Sequence, residues 1–451
     1  MPEGLTDALI LGGLGVLGAV LGALINVLVD AWCWEPRYRS PWRRPVPPGR
    51  ARPWWVYLPI VGWWGLREGD PGRRPPAAPA AGRPDEDAFP DPTFIGRWFW
   101  LRSMAVEVAT AVAVPTLWAF LADGGLVPAR DRVPGADLTA PALVDFLLFG
   151  TVYFALAVAT LIDLEDQTIP DLVTIPGTLA ALAIAAAFPS SRLPAYEEGR
   201  RLGETVLGHL HAFSPDLFPA RYASATGLGV AVAVITLWTF AVLPRRVILR
   251  HGLARAVRYF LARLVRGVPE WIVVGIGFAA ILGTAAVWLF GRDPAAPTDA
   301  WRSYLSAVIG LGAGAGFVWA IRLLGQAALG KEAMGFGDVL LMGMIGTAFG
   351  WQVAVMCFFL APFGALVISV ADFLLHGRHH IAFGPYLSVG AVLVTLGWSG
   401  VWFGWADRIF AMGSLFVGIL LAALVLMTIL LLLMRLAKAA FAGRDQAVDG
   451  A

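Results

Sequence analysis

Cysteine is almost missing from this chain: Cys33 and Cys357 are the only two in 451 residues. Two distant thiols make no disulfide framework and no zinc cluster by themselves, and Cys357, inside an apolar run, reads as a small hydrophobe. Charge is scarce too. Only 15% of residues are charged against 58% hydrophobic, which excludes a water-soluble globule and points to a chain that crosses a bilayer repeatedly. The net charge of +2 says little, because the placement of charge matters more than its sum. No Lys or Arg precedes the first apolar run at 8–29, only Glu3 and Asp7. A signal peptide wants a basic start, so a retained helix with its N-terminus outside is expected. No internal repeat is evident, which withholds support from an inverted-repeat transporter.

What is present is a series of apolar stretches: 8–29, 104–121, 143–162, 172–187, 226–243, 271–290, 304–324, 339–349, 353–374, 386–405 and 409–434. Read as membrane spans they number about eleven, several of them near the lower length limit for roughly 30 Å of hydrocarbon. The expected fold is all-α, a polytopic transmembrane helical bundle with a large N-terminal cytoplasmic loop. Its divisions are a first helix at 1–29, an Arg- and Pro-rich loop at 30–103, helices at 104–188, an insertion with two extra helices at 189–302, further helices at 303–436, and a cytoplasmic tail at 437–451.

Charge supports this threading. The segment 30–102 holds twelve Arg against eight acids, seven of those Arg lying before residue 68. Starting outside, every odd-numbered span ends in the cytoplasm. The loops so placed contain that segment, seven Arg from Arg245 to Arg266, Lys331, the HGRHH run at 376–380, and Arg435, Lys438 and Arg444. Positive charge collects on the inner side of membrane proteins, so the bias agrees with the parity. The same parity puts Asp163 and Asp338 at the cytoplasmic ends of their spans.

These two acids carry the chemistry. Asp338 follows Gly335-Phe336-Gly337 at the mouth of an apolar run, and Asp163 ends the span that opens into LIDLEDQTIPDLVTIPG. A carboxylate at membrane depth is costly and so points to function. Two carboxylates hydrolyse a peptide when one is ionised and takes a proton from water while the other, protonated, polarises the scissile carbonyl. Gly335 and Gly337 allow close approach beside Asp338, and Pro170 breaks helical hydrogen bonding just after Asp163. On GFGD alone, Asp338 as a helix cap with the glycines as a turn competes equally.

Six stretches, in order, give a resemblance. Residues 22–27, GALINV, resemble a GSFLNV element; 58–67, LPIVGWWGLR, resemble an "iPvlSwl-LrG" stretch; 102–107, RSMAVE, resemble "RYPLVE". Residues 162–176 resemble "IDxDxxxIPDxLTxP", 332–338, EAMGFGD, resemble a second catalytic motif, and 381–387, IAFGPYL, resemble "IPFGPfL". The chain thus resembles the type IV leader peptidases, the prepilin peptidase family of intramembrane aspartyl proteases. That resemblance implies Asp163 and Asp338 as catalytic aspartates, with Glu107, Glu165, Pro170, Asp171, Gly335 and Gly337 as supporting motif positions. Asp171 is also readable as a cap for the helix starting at Leu172. The implied substrates are prepilin or pseudopilin precursors, cleaved at the cytoplasmic face of the bacterial inner membrane. S-adenosylmethionine is the implied cofactor of a second activity, N-methylation of the new terminus; no nucleic-acid partner is expected.

The departures are specific. The family's CxxC pairs have no counterpart in 40–74, so no zinc or other metal is expected. Leu340 stands where the second motif usually has Lys, and Ala382 replaces a usual Pro. The two aspartates are 175 residues apart, more than one helical hairpin needs, which is why 189–302 reads as an insertion.

Lesser signals have plainer accounts. His376, His379 and His380 have helical spacing but sit beside Arg378 in a short loop. Residues 246–266 interleave Arg with apolar side chains and read either as an interfacial helix or as a topology-setting loop. Asp145, Arg322 and Asp372 lie near membrane boundaries, where snorkelling to water is expected. Two other function classes stay open: a proton- or cation-coupled transporter using the same carboxylates, and a noncatalytic relative of the peptidases.

Overall fold

The computed structural model describes residues 3–33, 42, 54–66, 99–132, 138–198, 205–243, 268–291, 298–329, 334–376 and 382–448. The chain divides into two compact units, 1–125 with 134–173, and 126–133 with 174–451.

The first unit contains α1 (Glu3–Trp32), a 3-10 turn (Trp54–Tyr57), the short α2 (Val61–Leu66), α3 (Phe99–Ala122) and α4 (Thr139–Asp166). Helix α1 lies along α3, and both touch α4. Lipid tails are as apolar as leucine, so helices in a bilayer associate by close packing rather than by escape from solvent. Glycine supplies that closeness here. A Cβ at Gly22 would lie 2.2 Å from Thr110 Oγ1 and 2.6 Å from Glu107 Cα, so only glycine lets α1 reach α3 at this level. The outward faces carry Leu9, Val16 and Val112, exposed as lipid-facing side chains are.

The second unit takes in α5 (Asp171–Ala187), whose first turn straddles the division, and then a hairpin of β1 (Pro194–Glu198) and β2 (Thr205–His209). The strands are antiparallel, Pro194 opposite His209 and Glu198 opposite Thr205. There follow α6 (Ala225–Val242), α7 (Val268–Gly291), α8 (Asp299–Leu329), α9 (Phe336–Phe349), α10 (Trp351–His376), α11 (Gly384–Leu396), α12 (Trp398–Phe410) and α13 (Ser414–Val448). The heart of the unit is α8 against α9. A Cβ at Gly310 would stand 2.0 Å from Gly346 O, and one at Gly346 would stand 2.2 Å from Gly310 O. Residues 338–349 of α9 are all buried. At 14 residues α9 is only about 21 Å long, short of the hydrocarbon thickness, and it is buried in protein over 338–349. A second apolar cluster joins Leu182 and Ala185 of α5, Ala231 and Ile235 of α6, and Trp301, Leu305 and Val308 of α8.

The chain is an all-α, polytopic membrane protein, with the hairpin as a small exception inside 189–302. Among the described residues, seven helices are long and apolar enough to cross a membrane, or eight if α11 and α12, bent by 75°, count as one. Helix α5, helix α9 and the described part of α10 are shorter apolar helices. Each of the eleven apolar stretches therefore has its helix, and among the described residues seven or eight of these helices pass as crossings by length and composition. The run at 386–405 breaks at Gly397, and the last helix begins at Ser414 and continues to Val448, into the residues read as a tail. Side chains of 367–376 and all of 377–381 and 244–267 lie outside the described residues, and with them His376, His379, His380, Asp372 and the Arg-rich segment.

Candidate active site

In the first unit the organising side chain is Glu107 on α3, only 1% exposed. Its carboxylate accepts from Asn26 Nδ2 at 3.1 Å, from Trp63 Nε1 at 2.6 Å, and from the backbone N–H of Ile60. Asn26 also donates to Ser103 O at 2.9 Å. Three of the motif stretches, GALINV, LPIVGWWGLR and RSMAVE, thus meet at one buried acid. A buried carboxylate persists only when its oxygens are satisfied, and here three donors from two other segments satisfy them. The cost appears at Ile60, whose φ of 65° is left-handed and unfavourable for a β-branched residue. Val56 and Trp63 pack with Trp100 and Met104 to seat this part of the loop on α3.

Asp163 lies in the last turn of α4, 5% exposed. The helix closes with Gln167 in the left-handed region, its N–H donating to Asp163 O at 2.9 Å. Two residues on, Glu165 pairs with Arg102 of α3 and accepts from Cys33 Sγ at 3.6 Å. Burial, reinforced by the Glu165 and Asp166 carboxylates, pushes the Cys33 thiol up to about 12, so it stays protonated at neutral pH. Pro170 stands in the break between α4 and α5. Helix α5 starts at Asp171 itself, one residue before the sequence reading, so Asp171 sits exposed in the first turn, where the helix dipole favours an acid.

In the second unit, Gly335 precedes α9 with φ −64° and ψ 151°, and Phe336, Gly337 and Asp338 form its first turn. Asp338 is 7% exposed. A Cβ at Gly335 would lie 3.5 Å from Asp338 Oδ2, so the missing side chain keeps a methyl group from packing against the carboxylate. Leu340 is buried with Trp238, Val242 and Leu311, which accounts for an apolar residue where the family usually has Lys: a charge there would have no partner in that cluster.

Arg322 is half-exposed, and its guanidinium also reaches the turn before Asp338. Its Nε donates to Met334 O at 2.9 Å, and its guanidinium carbon lies 5.5 Å from the centroid of Phe336. It thereby holds both sides of Gly335, the turn that presents Asp338. Only its position near a membrane boundary was visible in the sequence; its partners required the packing of α8 on α9. Asp145, also expected to snorkel, has a buried Oδ1 with no hydrogen bond.

The structure gathers Glu107, Asn26, Ile60 and Trp63 at one point, joins Glu165 to Arg102 and Cys33, and groups Gly335, Gly337 and Asp338 in one turn. Asp163 belongs to the first unit and Asp338 to the second.

Comparison with known proteins agrees with part of this. Residues 265–370 match the type IV leader peptidase family. That stretch contains Asp338 and its glycines and begins inside the segment read as an insertion; Asp163 and Glu107 lie outside it. The prepilin leader peptidase/N-methyltransferase of Aeromonas salmonicida is 32% identical over 106 residues, 23% of this chain and 34% of the relative. The protein of the same name from Pseudomonas putida is 31% identical over 149 residues, 32% of this chain and 44% of the relative. The one from Escherichia coli K12 is 34% identical over 89 residues, 19% of this chain and 40% of the relative. The matches thus cover less than half of these curated relatives. No solved structure matches significantly.

Proposed function

We propose that this chain is a membrane-embedded aspartyl endopeptidase that removes the leader from prepilin or pseudopilin precursors, with Asp163 and Asp338 as its catalytic carboxylates. The observation that carries the reading is Asp338, an acid buried at the glycine-flanked start of an apolar helix, inside the stretch that matches the leader peptidase family. Asp163, buried at the end of α4 within IDLEDQTIPD, supplies the second carboxylate.

The reaction follows from the chemistry of such a pair. The ionised carboxylate takes a proton from water as its oxygen bonds to the scissile carbonyl carbon; the protonated carboxyl donates to the carbonyl oxygen. Collapse of the tetrahedral intermediate breaks the C–N bond, and the departing amine takes up a proton. Gly335 leaves room beside Asp338 for an extended backbone. Glu107 and Glu165 work as positioning residues, the first tying the 56–63 segment to α1 and α3, the second tying the end of α4 to α3.

The Arg-rich loops argue for an N-terminus outside and an active site at the cytoplasmic face of a bacterial inner membrane. A basic leader would approach there while the apolar helix of the precursor stays in the bilayer. The relatives' names carry a second activity, and N-methylation with S-adenosylmethionine is proposed with it.

The test is coexpression of a cognate pilin-like precursor with this chain, read by intact mass. Loss of the leader supports the peptidase, and one added methyl mass on the product supports the second activity. A full-length precursor, with both proteins present in the membrane, overturns the reading in favour of transport or a noncatalytic role.

A further inference from the structure

The hairpin β1–β2 closes the end of α9 opposite Asp338. Trp398 Nε1 donates to Pro194 O at 2.7 Å, Trp351 Nε1 to Ala212 O at 2.8 Å, and Gln352 Nε2 to His211 O at 2.9 Å. Arg192 completes the attachment, donating from Nη1 to Thr347 O and Ala348 O and from Nη2 and Nε to Ser303. Beneath this cap is a cavity of 420 Å³ lined by Arg192, Glu197, His209, His211, Arg302 and Ser303, among others.

Arg192, His211 and the start of α8 supply the donors of this cavity. Arg192 is 4% exposed, yet all four of its bonds go to neutral oxygens and none to a carboxylate, and one Nη2 hydrogen is left over. His211 is also 4% exposed; its Nδ1 accepts from Phe213 N at 3.1 Å, so in the neutral ring the hydrogen is on Nε2. That Nε2 is buried without a hydrogen bond, its nearest acidic neighbour being Glu197 Oε1 at 3.9 Å. Finally, the first turn of α8, with Asp299, Arg302 and Ser303, forms part of the lining and brings the positive end of a 31-residue helix to it. Glu197 is taken by Arg302 at 3.0 Å, and Asp299, 3.7 Å from the same guanidinium, is largely in solvent. The lining thus carries two guanidiniums and two carboxylates, one of the latter, Asp299, largely in solvent.

We propose that this cavity binds a phosphate group, with His211 Nε2, Arg302 and the free Nη2 hydrogen of Arg192 as donors at the α8 N-terminus. Donors arriving from the segment before the hairpin, from the segment after it and from α8 suit a tetrahedral oxyanion, whose oxygens accept in several directions, better than a flat carboxylate. The cavity has room for more than the ion, so the phosphate belongs either to a free anion or to a lipid headgroup. This site uses none of the residues of the peptidase reading and does not rest on it.

The full-length chain in detergent tests it by thermal unfolding. One arm titrates sodium phosphate against sodium chloride at matched ionic strength; the other compares mixed micelles of phosphatidylglycerol with those of diacylglycerol, which has no phosphate. Because Arg192 also fastens α9, the variants are His211→Phe, which keeps a ring and removes the N–H, and Arg302→Gln. A saturable rise of the midpoint is expected, with half-saturation weakened about tenfold in each variant, the size of one lost charge-assisted hydrogen bond. A rise with phosphate identifies a free anion, and a rise with phosphatidylglycerol alone identifies a headgroup; both support the site. Native mass spectrometry of the wild type reads the same adduct without any variant. Absence of a shift in both arms and of any adduct overturns the proposal, as does a shift of unchanged size in both variants, which marks an adventitious ion only.

Discussion

The indole N–H of Trp63 donates to Glu107 at 2.6 Å, joining a residue of the first loop to a helix 44 positions later in the chain. This bond, with those of Ile60 and Asn26 to the same carboxylate, makes Glu107 the peg on which α1, α3 and the 56–63 segment hang. Removing the peg strands several buried donors, whereas removing one donor costs one bond. Glu107→Ala is therefore expected to destabilise the protein by about 3–5 kcal/mol, and Trp63→Phe by about 1–2 kcal/mol. Thermal unfolding in detergent reads the difference; equal losses in the two variants would deny Glu107 its central place.

How legible was this beforehand? The apolar stretches showed where helices would form, because every backbone group in hydrocarbon must be satisfied within its own helix. Motif resemblance picked out Glu107, Glu165 and Asp338. What the linear chain hid was convergence: nothing in GALINV, LPIVGWWGLR or RSMAVE alone says that their polar groups share one acid. The hairpin and its cavity went unseen because 189–224 has neither helical nor strand periodicity long enough to stand out, and its polar residues serve the ends of distant helices. The hold of Arg322 on the turn before Asp338 was hidden because location at a boundary does not reveal which carbonyl a side chain reaches.

Arg322 bonds Met334 O and overlies Phe336, gripping the turn before Asp338. Arg322→Ala should lower kcat about tenfold or more for a loss near 1.4 kcal/mol in the placement of that carboxylate. KM should change little, because no substrate contact is removed. Arg322→Lys, which keeps the charge without the planar stacking group, should fall between. A change confined to KM would mean that Arg322 meets the substrate instead.

The α8–α9 contact leaves no room for a methyl group at Gly310 or Gly346. Gly310→Ala forces backbone apart where carbonyl oxygen already faces the helix, and an overpacking loss of about 1–3 kcal/mol is expected. Gly316→Ala, on the same helix but with open space around it, is the control and should be near neutral. Equal unfolding midpoints for the two variants would contradict the packing described.

His211 gives the hairpin region a pH dependence. Burial, against the pull of Glu197 and with the push of Arg302, drives its imidazole down from an ordinary 6.5 to about 4. The unfolded chain then binds the proton more readily than the folded one between these values, so stability falls as pH drops through that window and is fully present above it. Unfolding midpoints of wild type should decline over this range more steeply than those of His211→Phe. Parallel declines would show that His211 does not carry the effect.

The central claim is that Asp338 and Asp163 perform the cleavage, and the most direct measurement is the intact mass of a pilin-like precursor after incubation with purified wild type, Asp338→Asn or Asp163→Asn. Asparagine keeps the size of the side chain and removes the ionisable acid, so each variant lacks one half of the acid–base exchange. The account predicts a shortened product with wild type and a full-length precursor with each variant, all three proteins having the same unfolding midpoint within error. A shortened product formed at the wild-type rate by either variant would contradict it.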